Sequence, residues 1–71
     1  MTDAVMSLAE ALPLEQARVR EVLEAFKSIG PAGMFGAAMI EASLRAADQA
    51  ASSGDVVAML RAYQDLKGIE A

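Results

Sequence analysis

Hydrophobic residues recur every three or four positions along most of the chain, which is the spacing of one face of an α-helix. Turn signals interrupt this pattern at a few places, and no stretch alternates with the two-residue period of a strand. Ala, Leu, Glu, Arg, Met and Gln, all strong helix formers, dominate the sequence. The pattern predicts an all-α fold, a single small bundle of three to four helices over residues 1–71.

The first two predicted helices cover residues 3–12 and 13–29. Asp3 is a suitable N-cap for the first. Pro13 permits two interpretations, because it can kink one continuous helix or serve as the first residue of a second one, where its missing N–H costs little. Gly30 is expected to end this region as a left-handed cap, and Pro31 prevents its continuation. The apolar stripe of the second segment consists of Val19, Val22, Leu23, Phe26 and Ile29.

The third predicted helix covers residues 32–52 and carries two adjacent apolar faces. One contains Gly33, Ala37, Ile40, Leu44, Ala47 and Ala51, and the other contains Phe35, Met39, Ala42, Ala46 and Ala50. A helix that is apolar over most of its circumference is normally buried on several sides. Two short neighbours cannot cover it, so part of its surface is expected to meet another subunit. The predicted seam of this helical homo-oligomer consists of Ala37, Ile40, Leu44, Ala47 and Ala51.

The last predicted helix covers residues 55–67. Ser53-Gly54-Asp55 is typical of a turn in which Asp55 caps the following helix. Gly68 is expected to end the helix, and Ile69 to fold back onto Tyr63. The predicted apolar stripe consists of Val56, Met59, Leu60, Tyr63 and Leu66.

Length and composition favour self-association. A chain of 71 residues buries only about 60–65% of the surface that its unfolded form exposes, which makes an independent core marginal. Small domains compensate with disulfides, a metal or oligomerisation. The chain has neither cysteine nor histidine, and its apolar fraction of 55% exceeds the ~45–50% usual for soluble domains. Oligomerisation is the route that remains.

The same absences argue against catalysis. Without histidine or cysteine the chain has no ordinary general base at neutral pH and no thiolate nucleophile. Its serines have no partner at motif spacing, and most carboxylates lie beside basic residues on polar faces. Residues 48–55 lack the alternating oxygen ligands of a calcium loop. We expect no enzyme activity, no catalytic residue, no cofactor and no metal.

Charge and hydropathy restrict the partners. The net charge is −4 and the six basic residues are spread over the chain, so nucleic acid is not an expected partner. The longest apolar run, residues 30–40, is shorter than the ~20 residues of a membrane span. The first residues lack the basic start of a signal peptide, and the absence of cysteine fits a reducing compartment. We expect a cytoplasmic protein that does not associate with membranes.

A small anionic ligand has one candidate site. The glycine-rich segment over residues 30–36 opens a helix, where free backbone N–H groups can hold phosphate; alternatively, it caps one helix and lets another approach closely. Arg45 can pair with Glu41 or Asp48 on its own helix, or grip a phosphate or carboxylate at the oligomer seam, where Arg61 and Tyr63 could join it. The candidate ligand-binding residues are Gly33, Gly36, Arg45, Arg61 and Tyr63.

Two stretches resemble short proteins of tailed bacteriophages and proteobacterial prophages. They are Ile29–Ile40 (IGPAGMFGAAMI) and Ser53–Glu70 (SGDVVAMLRAYQDLKGIE), together under half of the chain. The resemblance implies an accessory phage product in the host bacterial cytosol and assigns no site residues. The preferred function is a homo-oligomeric counter-defence factor that sequesters a nucleotide-type ligand. Two alternatives stay open. One is an inhibitor that docks on a basic host protein through its acidic surface, including Glu10, Glu15, Glu21 and Glu24; the other is a structural or assembly oligomer.

Overall fold

A computed structural model describes residues 7–70. In this part of the chain it contains three α-helices and no strand, which confirms the all-helical prediction. Helix α1 spans Leu8–Ser28, α2 spans Met34–Ser53 and α3 spans Val56–Lys67, and a 3₁₀ turn at Pro31–Gly33 precedes α2. Each α-helix packs against the other two.

Helix α1 begins with a capping box. The Ser7 hydroxyl accepts a hydrogen bond from the Glu10 backbone N–H at 3.3 Å, and Glu10 Oε1 accepts one from the Ser7 N–H at 3.2 Å. The helix then continues through Pro13 to Ser28. Pro13 therefore does not separate two helices, and the predicted boundary between residues 12 and 13 is wrong. The expected cap at Asp3 lies outside the described residues.

The connection to α2 differs from the predicted one. Ile29 was expected in the apolar stripe of the first long helix but is 60% exposed, because α1 ends one residue earlier. Gly30 has a positive φ of 88°, as expected of a glycine stop, but its ψ of −148° is not that of a left-handed helical residue. The chain enters α2 through the 3₁₀ turn instead of starting an α-helix at residue 32.

The turn before α3 follows the prediction closely. Gly54 ends α2 in the left-handed conformation, with φ 72° and ψ 8°. Asp55 Oδ1 accepts hydrogen bonds from the backbone N–H groups of Val57 at 3.0 Å and Ala58 at 3.3 Å. These bonds satisfy donors that have no partner in the first turn of a helix. The predicted cap and the helix bounds are confirmed.

One apolar core lies between the three helices. It consists of Leu12, Val19, Val22, Leu23, Ala37, Ile40, Leu44, Ala47, Ala50, Ala62 and Leu66. Met59, Tyr63 and Ile69 pack against its edge. Val56 and Leu60 were expected in the stripe of α3 but are 67% and 45% exposed. Leu60 lies two residues from buried Ala62, about 200° away around the helix, so it faces solvent.

The predicted oligomer seam is largely internal. Ala37, Ile40, Leu44 and Ala47 are each at most 5% exposed because α1 and α3 of the same chain cover them. Ala51 is exposed, and its neighbour Ala50 is buried instead. The prediction that this face meets another subunit is therefore wrong, and a charged residue at Ala37 or Ala47 would disrupt the monomer core. Of the second apolar face of α2, Ala50 is buried, and Phe35, Met39, Ala42 and Ala46 are exposed.

Arg18 connects the middle of α1 to the end of α3. Its Nη1 donates to the Ile69 carbonyl at 3.0 Å, and its Nη2 donates to the Leu66 carbonyl at 2.9 Å. Glu15 Oε1 accepts from Arg18 Nε at 3.1 Å and holds the guanidinium in place. Carbonyls at a helix C-terminus lack intrahelical donors and carry partial negative charge, so a cation that donates two hydrogen bonds stabilises this end.

Replacing Arg18 with methionine should lower the free energy of unfolding by about 1–2 kcal/mol, because the alkyl packing is kept while the hydrogen bonds to the α3 carbonyls are lost. The measurement is urea denaturation followed by circular dichroism. Arg20→Met, the same change on the same helix, is the control. Arg20 makes an exposed ion pair, and its loss should cost under about 1 kcal/mol. Equal costs for the two variants would contradict the role assigned to Arg18.

Candidate binding surface

The glycines of the candidate anion site are packing residues. A Cβ on Gly33 would overlap the Phe26 backbone carbonyl, and a Cβ on Gly36 would lie 2.6 Å from two carbons of the Phe26 ring. Gly33 is buried, so its backbone is not presented to a ligand. Of the two interpretations of this segment, close approach of helices is the one that the geometry supports. Gly33 and Gly36 let the start of α2 lie directly against the end of α1.

Arg45 does not make the expected intrahelical pair. Both of its candidate partners bind α1 instead, since Asp48 pairs with Arg20 at 3.2 Å and Glu41 pairs with Lys27 at 3.4 Å. Arg45 is exposed and has no ion-pair partner among residues 7–70. Its guanidinium is therefore available at the surface, but it does not point into the core.

Arg61 and Tyr63 lie on different sides of α3. They are two residues apart, about 200° around the helix, so their side chains diverge. Tyr63 is partly buried against the core, and the Lys67 Nζ lies 5.5 Å from its ring centroid. Arg61 is exposed and has no ion-pair partner among the described residues.

The five candidate residues do not assemble into one site within a single chain. Gly33 and Gly36 are at the α1 end of α2, whereas Arg45 lies nine residues beyond Gly36, about 14 Å along the helix. Tyr63 faces away from Arg61. Of the five, Arg61 lines the open groove between α2 and α3.

The α2–α3 groove is an open depression of about 590 Å³ between the last two helices. It is lined by Ala46, Gln49, Ala50, Ser53, Asp55, Ala58, Arg61, Ala62 and Asp65. The four alanines supply apolar surface and leave room above it. Arg61 and Asp65 place opposite charges in the same groove.

A strip of apolar side chains on α2 runs into this groove. This apolar strip consists of Phe35, Met39, Ala42 and Ala46, all exposed and spaced by four, three and four residues. Phe35 is 79% exposed and Met39 is 59% exposed. The spacing places all four on one side of α2, and Ala46 also lines the groove. The strip and the groove therefore form one continuous surface, which the sequence patterning had assigned to a second face without a role.

The acidic surface is less available than its composition indicates. Glu10 belongs to the capping box, Glu15 pairs with Arg18 at 2.9 Å, and Glu24 lies 4.0 Å from Lys27. Glu21 has no ion-pair partner within residues 7–70, and the neutral capping box leaves the charge of Glu10 uncompensated. Two of the four carboxylates named for host-protein docking are therefore paired with basic residues.

Comparison of the chain with protein-family models, curated proteins and solved structures gives no match. The resemblance of residues 29–40 and 53–70 to short phage proteins thus stays an expectation.

Within residues 7–70, no helix is long and apolar enough to cross a membrane. No group of three or more acidic, cysteine or histidine residues lies close enough together there to hold a metal ion. The apolar strip and the adjoining groove form one continuous exposed surface on the described chain. Its chemistry is suited to contact with another apolar helical surface.

Proposed function

We propose that this protein functions as a homo-oligomer. Its copies bind one another in a fixed stoichiometry through the apolar strip and the α2–α3 groove. The observation that carries this proposal is the exposure of Phe35 and Met39 at helical spacing on a helix whose opposite face is already buried. Leaving such side chains in water forgoes about 25 cal/mol for each Å² of apolar surface. Association with a like surface recovers this free energy.

The charges around the strip permit two copies to meet. Each chain carries a net charge of −4, which opposes association in general. The two α2 carboxylates, Glu41 and Asp48, face α1 and are paired there. The apolar strip has no carboxylate of its own, and Arg45 and Arg61 flank it without ion-pair partners among residues 7–70. The apolar strip therefore adds no charge repulsion of its own, and the groove contributes one guanidinium against the carboxylates of Asp55 and Asp65.

Replacing Ala42 with lysine should convert the oligomer to a monomer while leaving the helical circular dichroism spectrum unchanged. Ala42 is exposed in the middle of the strip, so lysine does not disturb the core but places a charge where the copies meet. Analytical ultracentrifugation over a range of concentrations is the measurement. Ala17→Lys, the same change at an exposed position on α1, should leave the oligomer intact.

A monomeric wild-type protein at every concentration up to millimolar would refute self-association. An Ala42→Lys variant that stays as oligomeric as the wild type would refute the assignment of the surface. If the oligomer is confirmed, its presence in purified phage particles would favour the structural role over a soluble binding factor.

Capture of a small anion is the second candidate, and Arg61 is the observation that favours it. A groove of about 590 Å³ is in the size range of small-ligand sites, and a free guanidinium suits phosphate. Asp55 and Asp65 line the same groove, however, so its formal charge is negative and opposes an anion. Self-association is therefore the better supported role. Calorimetry with cyclic and linear nucleotides, repeated on Arg61→Gln, tests this candidate, and heat that the substitution abolishes would support it.

A further inference from the structure

Side-chain size changes systematically along the apolar strip. Phe35 and Met39 at the start of α2 are large, whereas Ala42 and Ala46 are small. Beyond Ala46, the same side of α2 opens into the α2–α3 groove, whose apolar lining is alanine. One half of the surface therefore projects and the other half is recessed.

This gradient selects the direction in which two strips can pack. Parallel helices would place Phe35 against Phe35 and Ala46 against Ala46, so the axes would be forced apart at one end and leave a gap at the other. Antiparallel helices place the large half of each strip on the small half of the other. Interiors pack to nearly crystalline density, so the antiparallel arrangement is the one that fills space.

The register follows from the same complementarity. With the twofold axis at Ala42, each Met39 lies level with position 45 of the second copy, one residue from Ala46, the nearest residue of the apolar strip. Phe35 lies seven residues from Ala42, about 10 Å along the axis, and Gln49 lies the same distance on the other side. Phe35 is thereby placed over the groove residues of the second copy around Gln49 and Ala50.

We propose that the protein forms an antiparallel twofold dimer in which Phe35 of each chain docks into the α2–α3 groove of the other. This inference rests on the proposed self-association and adds its occupant, direction and register. A twofold interface brings the same patch of both chains together. A strip that is large at one end and recessed at the other is complementary to itself in that arrangement.

A tryptophan at position 35 reports on this docking directly, because the chain contains no other tryptophan. The emission of Phe35→Trp should shift to shorter wavelength and become protected from iodide quenching as protein concentration rises through the dimerisation range. Leu14→Trp, at a position on α1 that is 59% exposed, should keep a solvent-exposed spectrum throughout. Sedimentation of the same samples gives the fraction of dimer.

Cysteine cross-linking tests the register and does not depend on tryptophan fitting the groove. The chain has no cysteine, and positions 35, 42 and 49 are exposed, so single substitutions leave the core intact. A disulfide requires Cα atoms within about 7 Å. In a glutathione buffer, Ala42→Cys should cross-link with itself, and Phe35→Cys should cross-link with Gln49→Cys in a mixture of the two chains. Phe35→Cys alone should stay largely uncross-linked.

These experiments distinguish failure of the docking geometry from failure of self-association itself. A Phe35→Trp dimer whose tryptophan stays exposed, or a Phe35→Cys chain that cross-links with itself and not with Gln49→Cys, would overturn the docking geometry while leaving self-association standing. A chain that is monomeric in the sedimentation experiment would overturn both.

Discussion

Replacing Leu66 with alanine is expected to lower the free energy of unfolding by about 2–5 kcal/mol, a large part of the total stability of so small a domain. Leu66 is completely buried in the core, on the side of α3 that faces the other helices. Truncation removes three carbon atoms and leaves a cavity that packed helices fill only in part.

Thermal and urea denaturation at low protein concentration measure this effect. A loss of this size should lower Tm by more than about 10 °C. Leu14→Ala provides the matched control, because Leu14 is 59% exposed on α1 and its truncation should change stability by no more than about 0.5 kcal/mol. If the two leucine variants unfold alike, the orientation of α3 described above is incorrect.

Gly33→Ala is expected to destabilise the protein by about 2–3 kcal/mol, although alanine is normally the better residue in a helical turn. The new methyl group would overlap the main-chain carbonyl of Phe26, which cannot rotate aside as a side chain can. To accommodate it, the end of α1 and the start of α2 must separate. The same separation would loosen the Phe26 ring from the core edge.

The control is Gly68→Ala, where the added Cβ would make an ordinary contact of 3.6 Å with the Asp65 carbonyl. That variant should unfold within about 0.5 kcal/mol of the wild type. Gly36→Ala should fall between the two, because its obstacle is the Phe26 ring, which is able to shift. A Gly33→Ala variant as stable as Gly68→Ala would show that the two helices are not in such close contact.

The helices were predictable from the sequence because their ends carry local signals. Asp55 with Gly54 defined the start of α3, and the observed bounds agree with the prediction. Ser7 and Glu10 carry the equally recognisable S-x-x-E spacing of a capping box, which the sequence interpretation passed over in favour of Asp3. The path of the chain through Pro13 was not decided by local chemistry, since a proline can start a helix or lie within one at the cost of an i→i−4 hydrogen bond.

The candidate surface was harder to predict. Periodicity shows which residues share a face of a helix, but it does not show which face packs against the core. On α2 two apolar faces lie side by side, and either could have been internal. The larger aliphatic residues Ile40 and Leu44 lie inside, and Phe35 and Met39 lie outside. With α2 in this orientation, Glu41 forms an ion pair with Lys27 of α1, and Asp48 forms one with Arg20 of α1. Such long-range pairs have no sequence signature. The sequence therefore predicts Glu41 or Asp48 as the partner of Arg45, although both pair with α1.

The hydrogen bonds from Arg18 also affect the fraying of α3 at its C-terminal turn. A helix of twelve residues would ordinarily fray at its C-terminus, since its last carbonyls have only water as partners. Here the carbonyls of Leu66 and Ile69 are held by a side chain from the middle of α1. Opening of the final turn therefore also breaks the contact between α3 and α1, so we expect fluctuations at this end of α3 to be smaller than in a helix end without such a partner.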